Sequence, residues 1–337
     1  MKIPDKFLWH DFFKLFQKCD VGFYIDDIQP YDRAMASIRM RCYDIIEYFE
    51  KCGIRAELYK PFKNYKAVIF TKTRSDRAVE TARKLHEKGV PVYYEAYCEY
   101  LEDESRKDDW ERTNILKIVE QAQVVGTGSS QQAEAFSKYH PKVLMIPESV
   151  HDDFFRVEKK HEEKERVTLV YCGYSGKAKD TLCIREVLLK LQEKYHCRLL
   201  YICEKDPKLT DFEYDYLEYK QSEIPSQLLQ GDIMIAPRPM EGIGQSAHSF
   251  TKVAYPLAVG LPAVANPVPS YVGTPVILCR NDEEWTEALT RLITNVEERR
   301  KVGKQGREYV KDNFSLQKIG EEYRKLIDDM TVGRKGC

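Results

Sequence analysis

The sequence predicts an α/β protein made of two doubly wound halves, and three observations carry that prediction. Short apolar runs alternate with helical patterns over about 150 residues. A charged, aperiodic stretch follows, and the same alternation then restarts. At 337 residues the chain has room for two domains, each able to bury a substantial core.

The first strand is read at "VGFYI" from Val21, followed by a helix carrying Met40, Ile45, Ile46 and Phe49 that stops at Gly53. "IRAELYK" and "KAVIFTK" come next, then a helix near Ser75 to Lys88 ended by Gly89. "VPVYYEAY", a helix near Trp110 to Ala122, "QVVGTGS", a helix near Ser130 to Lys138 and "KVLMIPESV" complete the half. Between His151 and Glu165, "HDDFFRVEKKHEEKE" reads as a linker. After it come "VTLVYCGY", a helix near Thr181 to Tyr195, "CRLLYICEK", "YDYLEYK", a helix ending at Gly231, "DIMIAPR", a helix ending at Gly260, "LPAVANPVPSY" and "PVILC". The expected domains are residues 1–151 and 152–315, two Rossmann-like folds facing one cleft. Residues 316–337 form a last helix that either stays on the second domain or reaches back to the first.

Composition narrows the class. The 43% apolar and 32% charged fractions are those of an ordinary globular protein. Lys and Arg (53) nearly cancel Asp and Glu (54), which argues against a nucleic-acid partner. No apolar run approaches the roughly 18 residues of a membrane span. The first residues read as an amphipathic helix, with Phe7, Leu8, Phe12, Phe13, Leu15 and Phe16 serving either a core or a peripheral membrane contact. Ten cysteines lack any C-x-x-C pair or zinc spacing, so reduced thiols in the cytoplasm are expected, and no metal.

In open α/β sheets ligands bind beyond the carboxyl ends of strands. That rule nominates "GYSGKAKD", where Gly173 permits close backbone approach and Lys177 and Lys179 supply charge for a phosphate, although neither a P-loop nor G-x-G-x-x-G is present. It also nominates Arg238 after "DIMIAP", suited to a phosphate or carboxylate or else to an ion pair with Glu241. A third segment, "HSFTKVAY", offers Ser249 as an N-cap, the N–H groups of Phe250 and Thr251, and Lys252, all near a helix start; an ordinary capped helix is the alternative. In the first half, Ser37, Arg39 and Arg41 lie near a helix start, where either a bound anion or Asp26, Asp27 and Asp32 would compensate the cations. Glu95 sits at the end of its strand.

The order of these pieces resembles the GT-B glycosyltransferases, particularly their large retaining family. "VVGTGSSQQAEAFSKYHPKVLMIPESVHDDFF" is similar to that family's end of the first domain. "DIMIAP" followed by "HSFTKVAYPLAVGLPAVANPVPSY" is similar to its "D-I-x-I-x-P … E-A-M-A-x-G-x-P-V-V-A" region. The resemblance implies a retaining transferase that uses a nucleoside-diphosphate sugar as co-substrate, without a further cofactor. It places the donor on the second domain and a polysaccharide, glycolipid or other acceptor on the first. Gly173, Lys177 or Lys179 and the Ser249–Lys252 turn would then cradle the diphosphate. The family's E-x(7)-E element departs here: Tyr255 stands where its second glutamate, near the ribose, is usual, and Glu241 matches the first. A degenerate GT-B-like binding protein, or a transferase for alditol phosphates or nucleic-acid bases, remains a competing reading.

Overall fold

The computed structural model describes residues 19–96, 101, 109–240 and 249–332. The amphipathic reading of Phe7 to Phe16 therefore lies outside the described residues. The chain divides into two compact units, one formed by the described residues up to Ile146 with those from Gly320 onward, the other by Pro147–Ile319.

The first unit starts with β1 (Val21–Tyr24), whose four residues are all buried. Helix α1 follows as Ala36–Ile38, a π-helical Arg39–Tyr43 and an α-helical Asp44–Lys51. Then come β2 (Ala56–Leu58), β3 (Ala67–Thr71), α2 (Asp76–Glu87), β4 (Val92–Glu95), α3 (Trp110–Gln121), β5 (Val124–Thr127), α4 (Ser130–Ser137) and β6 (Val143–Met145). The strands form one parallel sheet in the order β2-β1-β3-β4-β5-β6. Phe23 pairs with Ile69 and Ile69 with Tyr93. Strands so paired must be covered on both faces, which is why β1, β3, β4 and β5 read as unbroken apolar runs. Helix starts are fixed locally: Ser75 accepts the Ala78 N–H, Asp109 that of Glu111, and Ser129 that of Gln132.

The second unit carries β7 (Thr168–Cys172), a 3-10 segment (Ser175–Ile184) running into α5 (Arg185–Tyr195), β8 (Arg198–Cys203), β9 (Asp215–Glu218), α6 (Ile224–Leu228) and β10 (Ile233–Ala236). After these come α7 (Thr251–Ala258), β11 (Ala263–Ala265), β12 (Ile277–Leu278), α8 (Asp282–Thr294), α9 (Val296–Phe314) and α10 (Leu316–Thr331). Its parallel sheet has the order β12-β11-β10-β7-β8-β9. Alternate residues of β7 face opposite cores: Leu169 and Tyr171 pack with α5 and α8, whereas Val170 packs with α6, α7 and Val310 of α9. The later part of α10 belongs to the first unit, where Tyr323 donates to Glu95. None of the helices among the described residues is long and apolar enough to cross a membrane, and the eight described cysteines are free.

The stretch read as a linker is fixed to the second unit. Arg307 donates to the carbonyls of Phe155 (2.6 Å) and Val157 (2.8 Å), Arg300 to that of His161 (2.9 Å), and the buried Arg299 to that of Glu162 (3.0 Å). Lys159 reaches the Leu229 carbonyl at 2.7 Å and Asp232 at 3.0 Å. His161 Nε2 bonds the Gly260 carbonyl at 2.9 Å. Arginines of α9 thus hold the strap by its backbone, so its own side chains carry no periodic signal.

Close approach of α9 to the end of α7 requires Gly303. A β-carbon there would lie 2.1 Å from the Gly260 carbonyl oxygen, a backbone atom that cannot swing aside. Gly303→Ala is expected to destabilise the protein by about 3 kcal/mol through overpacking. Lys304→Ala, on the exposed side of the same turn, should stay within about 0.5 kcal/mol. Urea denaturation of both variants reads the difference.

Candidate functional site

In the second sheet β7 leads on one side to β8 and β9, whereas β10 lies on its other side and leads to β11 and β12. The chain therefore leaves β7 and β10 in opposite directions. The crevice between their carboxyl ends is where such a sheet takes its ligand. Gly173 follows β7 and Arg238 follows β10, so two of the nominated segments meet here.

Lys252, in the first turn of α7, joins them. Its Nζ lies 3.6 Å from the centroid of the Tyr171 ring and donates to the Cys172 carbonyl at 3.3 Å. A β-carbon at Gly173 would stand 2.9 Å from that Nζ, so the missing side chain is what lets the ammonium sit there. A cation over a phenol face is attracted by the ring quadrupole, but neither ring nor carbonyl neutralises the charge. Burial, with the neighbouring Arg238 adding to it, brings the Lys252 pKa down to about 8.

Arg238 is 7% exposed, and its Nη1 is buried without a hydrogen-bond partner. Its backbone N–H donates to Asn266 Oδ1 at 2.8 Å, and Asn266 Nδ2 donates to the Cys279 carbonyl at 3.2 Å. The loop after β11 thereby fixes where the guanidinium stands. Among the described residues no carboxylate forms an ion pair with Arg238 or Lys252. Arg238 is buried and Lys252 half-buried, neither is in an ion pair among the described residues, and the first backbone N–H groups of α7 lack intrahelical acceptors.

Other nominated residues fall differently. The N-cap of α7 is Phe250, which is buried and has no side chain able to accept, rather than Ser249. Ser249 Oγ instead lies 3.0 Å from Thr251 Oγ1. Lys177 and Lys179 stand exposed on the 3-10 segment. Tyr255 is half-buried and stacks on Phe154 of the strap, with centroids 4.0 Å apart. Glu241 lies outside the described residues. Sequence reasoning passed over three participants. Tyr171 looked like strand core, Asn266 like part of a turn, and Glu204, which accepts the Ser175 N–H at 2.8 Å and pins the loop after β7, like any charged strand end.

In the first unit, Arg41 and Glu95 are fully buried and 3.6 Å apart. Thr71 Oγ1 donates to Glu95 at 2.7 Å, and Tyr323 donates to it as well. Charges paired in this way hold α1 and α10 to the sheet. Arg39 is buried and donates to the Ala34 carbonyl, while Ser37 is half-buried and receives Lys72 Nζ at 3.5 Å.

No protein-family model matches the sequence, and no curated protein matches it by sequence. Solved structures do match the fold. HepE of Anabaena, solved with UDP and glucose, is 11% identical, with 92% of this chain and 100% of that one covered at a TM-score of 0.65. A glycosyltransferase of Rickettsia africae is 11% identical, with 94% and 100% covered at 0.62. The alpha-glucosyltransferase AGT in complex with UDP is likewise 11% identical, with 91% and 99% covered at 0.61. The two parallel six-stranded sheets with flanking helices are the two-domain α/β arrangement of the GT-B fold.

The Lys252 pKa gives the site a pH signature. An anion is held by the ammonium and not by the amine, so affinity for sulfate, a dianion that does not itself titrate in this range, should be flat at neutral pH and fall as pH rises through about 8. In Lys252→Arg the decline should vanish from that range, because a guanidinium keeps its proton. Calorimetric titration at several pH values checks both.

Proposed function

We propose that the chain is a glycosyltransferase, of retaining and metal-independent type, moving a sugar from a nucleoside-diphosphate donor to an acceptor hydroxyl. The observation that supports this reading most is the pairing of a buried Arg238 with a half-buried Lys252, neither in an ion pair among the described residues, at the switch point of the second sheet. In the transfer, the bond between the anomeric carbon and the diphosphate oxygen breaks, and a bond from that carbon to the acceptor oxygen forms. The acceptor's proton passes to the departing diphosphate. Negative charge grows on the leaving group as the old bond opens, and two fixed cations in a poorly solvated site stabilise it without reorganising. The UDP complexes of HepE and AGT support uridine as the base. On this reading Lys177 and Lys179 reach the outer phosphate oxygens from the exposed side.

Tyr255 gives the ribose no carboxylate, so most of the donor affinity comes from the phosphates. UDP should therefore bind far better than uridine. Arg238→Gln and Lys252→Ala should each weaken UDP by about tenfold or more, the size of one or two lost charge-assisted hydrogen bonds. Isothermal titration supplies the affinities, and incubation with a panel of UDP-sugars supplies turnover. UDP binding that neither substitution changes would sink the site; UDP binding without hydrolysis or transfer would favour the degenerate binding protein instead.

A further inference from the structure

The ring of His161 closes the junction between the strap, the end of α7 and α9. Its Nε2 lies 2.9 Å from the Gly260 carbonyl oxygen, and a β-carbon at Gly303 would stand 3.2 Å from the same nitrogen, so the imidazole packs directly on backbone from both sides. Two residues earlier in the strap, the Lys159 N–H donates to the Val259 carbonyl at 2.8 Å. A carbonyl oxygen only accepts, so Nε2 carries the ring hydrogen and Nδ1 keeps a lone pair. His161 is 5% exposed, and its Nδ1 is buried without a hydrogen-bond partner among the described residues. One bond therefore satisfies the neutral ring's donor. A second proton would put an N–H on Nδ1 with nothing to accept it.

The charges around the ring oppose that proton as well. Burial does most to lower the His161 pKa, Lys159 of the strap and Arg299 of α9 lower it further, and the Gly260 carbonyl and Asp232 act the other way. Asp232 is already engaged, by Lys159 at 3.0 Å, by Lys164 and by the Thr168 N–H at 2.8 Å. Beside the ring a cavity of about 440 Å³ is lined by Glu158, Lys160 and Glu162 of the strap and by Arg300 and Lys304 of α9, all exposed and of mixed sign. Glu158 lies 3.9 Å from Arg307, Lys304 lies 3.9 Å from Glu308, and Arg300 pairs with Glu297. Standing in water, these five are screened from a buried nitrogen.

We infer that His161 is an acid-sensitive latch: a second proton on its ring drives strap residues 157–163 off the end of α7, to where the imidazolium reaches water. The latch is independent of the transferase reading, although it holds the far end of the helix whose first turn carries Lys252. In the released strap the ring titrates near its ordinary value of about 6.5. The closed strap binds fewer protons than the released one, so its stability is complete above that value and is lost as pH falls below it. Between about pH 7.5 and about pH 5.5 the released population should rise about tenfold.

Hydrogen exchange of the full chain, followed by mass spectrometry at those two pH values and divided by the intrinsic rate at each, tests the latch. The reporter is the Lys159 N–H, which is bonded across the junction. Its protection should fall about tenfold at the lower pH. In His161→Gln, whose amide can donate to the Gly260 carbonyl but takes up no proton, protection should be the same at both. Equal protection of the unchanged chain at the two pH values overturns the latch, and so does a tenfold fall that persists in the variant. Where the variant does not fold, the slow exchange of the His161 ring C2–H in the unchanged chain reads the titration itself. A midpoint below about 6.5 is expected there, and one at or above it overturns the latch.

Discussion

A buried arginine and a half-buried lysine, neither in an ion pair among the described residues, are what the crevice of the second unit is arranged around. Leaving a charge unpaired away from water costs several kcal/mol, a large share of a domain's net stability. The surroundings of Lys252 soften that cost without removing it: a phenol face at 3.6 Å, a carbonyl at 3.3 Å and a glycine that makes room. Those partners all come from the end of β7. Arg238 is held instead by its backbone, through Asn266 beyond β11. Three strands therefore cooperate to keep positive charge where a purely structural solution would have placed an acid. Local conflicts of this kind, which the rest of the fold supports, are where function is expected.

The same contacts explain what could be read from the sequence and what could not. Alternating strands and helices were legible because each strand is buried on both faces and each helix has a local start signal. Ser75, Asp109 and Ser129 cap their helices through their own side chains, as do Asn281 and Asn295 in the second unit. α7 lacks such a signal. Its cap is an aromatic residue, and Pro256 lies inside it, so the hydroxyls of "HSFTK" suggested Ser249 instead. Lys252 and Arg238 were legible as charges at strand and helix ends, but how far each is withdrawn from water was not, since that depends on Tyr171 and Asn266 from distant segments. Arg41 and Glu95 illustrate the reverse. Each looked like a free charge near a cleft until the fold paired them.

The strap gives Tyr255 a physical role that its place in a motif did not suggest. A chain segment as charged as "HDDFFRVEKKHEEKE" has little apolar surface with which to hold itself down. Arginines 299, 300 and 307 hold it by its carbonyls, and Phe154 anchors it by stacking on Tyr255. Arg307 also donates to the Ala258 carbonyl, and His161 to that of Gly260, at the end of α7. Strap, α7 and α9 are thus packed as one body. An aromatic residue at 255 serves that packing, where a glutamate would have needed a partner for its charge.

The position of α7 follows from this in turn. Its far end is clamped against Gly303 of α9 at backbone contact, and its near end carries Lys252 into the crevice. A helix fixed at one end by close packing cannot shift to relieve the crowding of two cations at the other. A bound anion or loss of the Lys252 proton would relieve the charge there, and burial, which lowers the Lys252 pKa to about 8, favours the neutral amine relative to a lysine in water. The first sheet repeats the topology with a different filling, apolar residues on both sides of Ile25 and Arg33 at the rim. One topological device thus produces two chemically distinct crevices, because a switch point fixes only where the loops diverge and leaves their side chains to decide how each is lined.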